Sequence, residues 1–475
     1  MIAHPLRGEA DDQAAREYYA DPNVRQRIRE YCGIAPEAGT RCLFLRARSG
    51  QEVPDEGWDR SPPFPPAELD ALLDRGLDVT RSLWDSENLL FHLDLDYLNP
   101  DRPDEAFTHP AETFFKLEST YRAAIEELAE FRLLTLQIAT GEGYHLTGRI
   151  PLDGSLVRRL AALVPTPPRW HGTQAVRRPA WLDASVSELH ARAVTGLGLV
   201  LEYLAQRIIR QAALHSTLPV VLNGTAVGAG SLGRECVSVD LTQFADPLDM
   251  RHLRCAFSVY RKPGVHSREP LPLLVAVPRN GADLAMFLED GRGAVRARSL
   301  ACDFRADIPE STGGLARVLD AYLRSPLAAF HREFQARSAS PGRGAELRAR
   351  LEPDRLPPCV AACLVAPNDL LLRPAHLQNL TRALRARDWP ARDIADVVEA
   401  LYGEDHGWGE TWARSDSRAR AEGYVRAFAG MIHAGLDRLT DFNCVSTQEK
   451  DMCPGGGCPF DLREDARALL DRGGT

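Results

Sequence analysis

The sequence predicts an α+β fold, a mixed strand-and-helix core followed by a mostly helical C-terminal part. Two observations carry this expectation. Between about residues 88 and 335, strand-like runs of period two alternate with long helical patterns. Beyond a short Ser-, Gly- and Pro-rich segment, SASPGRGAE (338–346), the pattern is helical up to a cysteine-containing loop at 441–462. A chain of 475 residues has room for two or three domains, each with its own core.

Composition excludes several classes. The chain is 44% hydrophobic and 26% charged, ordinary for a globular protein, and no apolar run approaches the roughly 18 residues of a membrane-spanning helix. The start, MIAHPLRGEADDQ, lacks the apolar core of a secretory signal, so a cytoplasmic protein without membrane contact is expected. A formal charge of −9 gives no support to nucleic-acid binding, and any basic patch must be local. Of the 57 basic residues only Lys116, Lys262 and Lys450 are lysine, so a lysine at a given position is a rare event.

In chain order, residues 1–85 read as an N-terminal helical region: a helical opening, the loop GQEVPDEGWDRSPPFPP, then the helical stretch AELDALLDRGLDVTRSLW. No recognisable chemistry lies there. Residues 86–336 hold strand-like runs at 88–98, 132–139, 144–150, 235–242 and 271–278, with long helices near 111–130 and 184–215. Residues 346–475 form the helical, cysteine-bearing part.

The run LLFHLDLDYLNP is the most informative segment. In a strand, Phe91, Leu93 and Leu95 face one side while His92, Asp94 and Asp96 face the other. Two like charges so close are unfavourable unless a cation lies between them, and Mg²⁺ or Mn²⁺ with carboxylate and phosphate oxygens is one solution; an edge strand showing its polar face to water is the other. A second segment, LLTLQIATGEGYHLTGRIP, reads as strand, glycine turn and strand. Gly141 and Gly143 permit the tight turn, and His145 stands just inside the return strand, either as a phosphate contact or as an ordinary hydrogen-bonded histidine. In the third, CVSVDLTQFADPLDMRHLRCAFSVYRKPG, Cys236, Ser238 and Asp240 share one strand face, so Asp240 is a candidate third carboxylate. Arg254, Ser258 and Lys262 follow, a guanidinium, a hydroxyl and an ammonium suited to a polyphosphate, or simply a solvated loop.

In this order, a DxD strand, a Gly-rich turn ending in histidine, and a strand aspartate followed by a basic loop, the chain resembles the catalytic core of the archaeo-eukaryotic primase superfamily. The segment AFSVYRKPG follows the small-subunit pattern. The resemblance implies a primase-type (RRM-like) core in which Asp94, Asp96 and Asp240 bind two Mg²⁺ or Mn²⁺ ions, while His145, Arg254, Ser258, Tyr260 and Lys262 hold the nucleotide triphosphate. The chain departs from the family at Tyr260, which stands where the family has a histidine and can donate one hydrogen bond but carries no positive charge near neutral pH. It also has no cysteine between residues 97 and 143, where many small subunits insert a zinc knob.

Ten cysteines in a reducing compartment point to metal ligation or buried thiols before disulfides. Cys32, Cys42, Cys236, Cys255 and Cys302 are scattered and read as small buried apolar residues. Cys359 follows two prolines, and Cys363 lies one helical turn later. Cys444, Cys453 and Cys458 fall within fifteen residues of a Gly- and Pro-containing polar loop. Structural zinc sites usually show closely paired C-x2–4-C knuckles, whereas eight residues separate Cys444 from Cys453. Thiolates from distant segments fit an iron–sulfur cluster better.

From about 355 to 462 the chain resembles the C-terminal iron–sulfur domain of the primase large subunit, through its "PPC" start, the segment HLQNLTRALRARDWPARDIADVVEALY and the terminal "C…C…CPF" loop. The likeness implies that Cys359, Cys444, Cys453 and Cys458 ligate a [4Fe–4S] cluster and that Cys363 is spare. It also implies that this part helps engage template and initiating nucleotide. Arg373, Arg382, Arg385, Arg387 and Arg392 either line that contact or form a solvated helical face. The function expected is a DNA primase or primase-polymerase acting on a single-stranded DNA template with NTPs or dNTPs, with a helicase or other replication proteins as partners. The alternatives are a gap-filling or lesion-tolerant repair polymerase, and a catalytically inactive nucleic-acid-binding or redox-sensing protein.

Overall fold

The HLDLD run is the centre of the fold. In the computed structural model, which describes residues 6–35, 39–48, 63–164, 186–225, 235–245, 252–261, 274–279, 293–336, 342–404, 406, 416–455 and 458–473, Asn88–Leu98 is an eleven-residue strand (β3) with a partner on each side. Its apolar face, Phe91, Leu93 and Leu95, is wholly buried, and most of its polar face is buried too, so it is no edge strand. The remaining strands of this sheet are β4 (Leu136–Ala139), β5 (Gly143–Pro151), β6 (Val220–Leu222), β7 (Cys236–Asp240) and the edge strand Val277–Pro278. Their order from that edge is β4, β5, β3, β7, β6, antiparallel except for the β6–β7 pair. Pro278 lacks a backbone N–H and is tolerated at the edge, where one is not needed.

The expected strand at 271–278 is divided in the structure, and its residues 271–273 lie outside the described ones. Leu274–Val275 pairs with Val259–Tyr260, and Val277–Pro278 joins the large sheet. The two long helices appear close to where the sequence places them, as α3 (Pro110–Glu130) and α4 (Glu188–Ala212), packed on β3 and on each other. Ser187 starts α4 by accepting a hydrogen bond from the His190 backbone N–H.

Before β3 lie α1 (Leu6–Tyr19), α2 (Pro22–Cys32) and the strand β1 (Leu45–Arg48). Here the expectation is corrected. The stretch 67–84 is not one helix: a short helix over Leu69–Asp74 is followed by Gly76 in the left-handed region (φ 74°) and then by the strand β2, Asp78–Arg81. Glycine adopts that conformation without steric cost, and the residues after it continue as strand. β2 lies between β1 and Leu253–Arg254 in a three-stranded sheet. The N-terminal region therefore shares a sheet and one hydrophobic core with the residues after 86.

A second core gathers the C-terminal helices α5 (Pro326–Ala336), α6 (Pro358–Val365), α7 (Pro374–Arg385), α8 (Ala391–Tyr402), α9 (Ser417–His433), α10 (Cys444–Glu449) and α11 (Leu462–Gly473), together with Ala245 from the segment after β7. The two cores are joined by close packing. A Cβ added to Gly423 of α9 would lie 2.8 Å from the Ala245 Cα. A buried ionic group spans the joint as well. Arg426 of α9 donates two hydrogen bonds to Glu202 Oε1 of α4 at 2.9 and 2.6 Å, and His331 Nε2 of α5 lies 3.0 Å from Glu202 Oε2.

No helix among the described residues is long and apolar enough to cross a membrane.

Candidate functional site

Strand register assembles the site. Asp94 stands opposite His145 in the β3–β5 pair and opposite Asp240 in the β3–β7 pair. Directly opposed residues of antiparallel strands share a face, with Cβ atoms about 5 Å apart. Asp96, two residues on, lies on the same face opposite Gly143 and Ser238. Three carboxylates and a histidine that are remote in sequence thus occupy one patch. Asp94 and Asp240 are 4% and 6% exposed, while Asp96 and His145 are half-buried, so the patch opens along β3 toward Asp96.

His145 Nε2 is 3.5 Å from Asp94 Oδ1. The Thr242 backbone N–H donates to Asp240 Oδ1 at 2.7 Å, and Leu241 N–H donates to Asn223 Oδ1 at 2.8 Å, which fixes the end of β7. Carboxylates crowded on one buried face repel one another and favour a cation among them. Hard oxygen donors suit Mg²⁺ or Mn²⁺, so the residues present fit such an ion chemically.

The turn between β4 and β5 needs its glycines for space. Neither Gly141 nor Gly143 has a positive φ. A Cβ at Gly143 would lie 1.7 Å from the Leu95 carbonyl oxygen, and one at Gly141 would lie 2.4 Å from the Tyr260 ring. Tyr260 therefore lies over this turn, and its hydroxyl donates to Glu142 Oε2 at 3.2 Å. Burial pushes the Tyr260 phenol well above its usual range, with Glu142, Asp96 and Asp94 acting in the same direction against Arg254. It is a neutral donor at the open end of the patch. The Arg254 guanidinium stacks on the same ring at 4.1 Å and donates to the Val259 carbonyl at 2.9 Å, with Asp78 Oδ2 at 3.6 Å.

Ser258 is placed otherwise than expected. It is fully buried, and its hydroxyl accepts from Val79 N–H at 2.9 Å while lying 3.2 Å from the Tyr19 hydroxyl and 3.3 Å from the Val259 carbonyl. Those bonds tie α1 and β2 to the basic segment and take the hydroxyl away from any ligand. Lys262 lies outside the described residues.

Sequence reasoning gave no role to Asp78. It sits in the N-terminal region yet holds Arg254 and Arg261, the latter through Nε at 3.1 Å. Nothing local in DVTR announces this, because the partner strand arrives from residues 253–254.

At the C-terminal end, burial pushes the Cys359 thiol up to about 12, and Cys453, Cys444 and Cys458 each add to the rise. Cys359 therefore lies within electrostatic reach of the other three cysteines of the expected ligand set. The Cys444 and Cys458 thiols both approach the Phe460 carbonyl, at 3.9 and 3.8 Å. Cys363 stands apart, fully buried, with its Sγ 2.8 Å from His376 Nε2. Tetrahedral zinc with Zn–S bonds near 2.3 Å would draw thiolates to within about 4 Å of one another. Among the described residues no three cysteines have sulfurs within 4.8 Å of one another. A cubane gives each thiolate its own iron, and four cysteines are the donors such a cluster takes.

The C-terminal arginines divide: Arg382 and Arg392 are buried, contrary to expectation, whereas Arg373 is exposed and Arg385 and Arg387 are half-buried. Arg382 is wholly buried, bridging Asp437 at 2.7 Å and Asp441 at 3.0 Å, and the buried Arg392 holds Asp396 and Glu422 at 2.9 Å each. Arg387 pairs with Asp465 at 2.9 Å, Arg385 donates to the Trp389 carbonyl, and Arg373 donates to the Lys450 carbonyl. Lys450 is buried as well: its Nζ binds Asp441 Oδ2 at 2.7 Å and the Thr225 carbonyl at 3.1 Å, near the end of β6. Of the scattered cysteines, Cys302 is exposed, contrary to expectation, while Cys32 and Cys255 meet in the core with sulfurs 3.4 Å apart.

No protein-family model matches this chain, and no curated protein matches it. The functional reading rests on these two groups of side chains.

Proposed function

We propose that this chain is a template-directed nucleotidyltransferase, a primase or primase-polymerase that makes or extends short oligonucleotides on single-stranded DNA. The observation that carries the reading is the register that sets Asp94 between His145 and Asp240, with Asp96 beside it on the same face. In this reading residues 86–336 form a primase-type core, supported by strands from the N-terminal region, and residues 346–475 form an iron–sulfur module. Asp94, Asp96 and Asp240 would hold two divalent ions, and Cys359, Cys444, Cys453 and Cys458 a [4Fe–4S] cluster.

When bound, the divalent ions supply the positive charge that favours ionisation of the attacking 3′-hydroxyl and eases departure of pyrophosphate. The protein's own part is positional. The strand register holds the carboxylates in a fixed constellation, so little reorganisation is needed as charge develops. Tyr260, kept neutral and oriented by Arg254 and Glu142, presents a hydroxyl at the open end, and in this reading His145, 3.5 Å from Asp94 Oδ1, contacts a phosphate oxygen. No protein base is required.

The test uses full-length protein purified without oxygen, unprimed single-stranded DNA, Mg²⁺ or Mn²⁺, and either NTPs or dNTPs. De novo products from the wild type and none from Asp96→Asn are expected. Failure of the wild type under every combination, or equal product from the variant, would overturn the reading. Extension at a primed gap without synthesis on unprimed strands would move it to a gap-filling polymerase.

A further inference from the structure

The polar face of β3 carries a third side chain beside its two carboxylates. His92 lies two residues before Asp94 on the same face, opposite Thr147, as Asp94 lies opposite His145. One ligand atom from each of His92, Asp94 and His145 lies within 4.8 Å of the other two. The two imidazole rings meet edge to face, with centroids 4.7 Å apart and planes at 89°. From these positions we infer that His92, Asp94 and His145 form a site for a first-row transition-metal ion, binding Mn²⁺ in preference to Mg²⁺.

The donor set decides the preference. Mg²⁺ favours oxygen ligands in a strict octahedron, whereas imidazole nitrogen suits Mn²⁺, Fe²⁺, Co²⁺ and Zn²⁺. Two imidazoles and one carboxylate on adjacent strands form a compact face of three ligands, leaving further positions for water or a ligand oxygen. The surroundings support the ring that sequence alone gave no role. His92 Nδ1 lies 3.1 Å from Thr147 Oγ1, and Gln243 Nε2 donates to the His92 carbonyl at 3.1 Å, so ring and backbone are both held. Hydrogen bonding of one ring nitrogen is the usual way a protein aims the other at a metal. His92 and Asp94 are almost wholly buried, while half-buried His145 lies toward the open end, from which an ion can enter.

The site shares Asp94 and His145 with the proposed catalytic centre, but its existence does not depend on nucleotidyl transfer. Binding is therefore measured on the full chain without DNA or nucleotide. The loss of the free Mn²⁺ electron paramagnetic resonance signal gives the affinity, competition with Mg²⁺ gives the preference, and spin-echo modulation detects bound imidazole nitrogen. The wild type should bind Mn²⁺ at least about tenfold more tightly than Mg²⁺ and show nitrogen modulation. His92→Gln should weaken Mn²⁺ binding by about tenfold or more while leaving Mg²⁺ affinity unchanged, and Thr147→Val should weaken it through loss of ring support. Circular dichroism checks that each variant is folded, and should His92→Gln not fold, Thr147→Val and the wild-type nitrogen signal carry the test. Equal wild-type affinity for the two ions, absence of nitrogen modulation, or a folded His92→Gln with unchanged Mn²⁺ affinity would overturn the inference. An enzyme inactive on every template that still shows these Mn²⁺ signatures would refute the proposed function and leave the metal site standing.

Discussion

Asp94 and Asp96 differ in setting although they share a strand face. Asp94 is enclosed between His145 and Asp240, and Asp96 looks toward the open end. Replacing either by asparagine keeps the shape and removes the charge, so nucleotide incorporation should fall by on the order of 10²–10³ while the fold persists. Steady-state kinetics beside circular dichroism checks this, and near-wild-type rates in either variant would contradict the ligand assignment. The cysteines offer a second residue-level contrast. Cys363→Ser keeps a donor against His376 and should leave an anaerobic preparation brown, with broad absorbance near about 400 nm, whereas Cys359→Ser should bleach it. Colourless wild-type protein carrying one zinc per chain would refute the cluster.

Among the elements, the β4–β5 turn and the Val259–Tyr260 strand show how backbone packing limits the site. At Gly143 the adjacent β3 backbone leaves no room for a side chain, since an added Cβ would meet the Leu95 carbonyl at 1.7 Å. Gly143→Ala must push β5 away from β3 and should cost about 3 kcal/mol, seen as a lowered unfolding midpoint together with lost activity. Ser258 gives the opposite pattern. Its buried hydroxyl ties Val79, Tyr19 and Val259 together, so Ser258→Ala should lower stability by about 1–2 kcal/mol and leave the nucleotide KM unchanged once the protein is folded. A raised KM with unaltered stability would restore Ser258 to the nucleotide site.

Over the whole molecule, the two cores are coupled through Glu202, Arg426 and His331. Burial lowers the His331 pKa, so at neutral pH the histidine contributes a hydrogen bond and the ionic partner of Glu202 is Arg426. Burial alone would raise the Glu202 carboxyl, but the charge of Arg426, together with the charge His331 gains in acid and its hydrogen bond, outweighs it and brings the group down to about 2. A depressed carboxylate stabilises the fold above its unfolded pKa, and the contribution is lost as pH falls through the folded value. The joint should thus be intact at neutral pH and weaken progressively from about pH 4.5 toward pH 2. Glu202→Gln leaves Arg426 buried without its counter-charge and should cost about 3 kcal/mol at pH 7, with a flatter acid limb in a stability–pH series. An unchanged acid limb would show that other carboxylates control acid unfolding.

What was legible in the sequence followed from local periodicity. The alternation in FHLDLD defines β3 and puts Asp94 and Asp96 on one face, and the positions of α3, α4 and the helical C-terminal part follow from the same kind of pattern. The clustering of Cys444, Cys453 and Cys458 was visible as spacing, and His92 was visible on the carboxylate face without a role. Tertiary structure decided which remote residues meet. Register brings Asp240 and His145 to Asp94, and chain folding brings Cys359 within the influence of the distal thiols and leaves Cys363 with His376. It also made Asp78, in a region without evident chemistry, the anchor of Arg254, and turned Arg382 and Arg392 from expected surface charges into buried ion pairs. Periodicity depends on a few neighbouring residues and can be read along the chain, whereas register, burial and ionic partners depend on which strands and helices pack together.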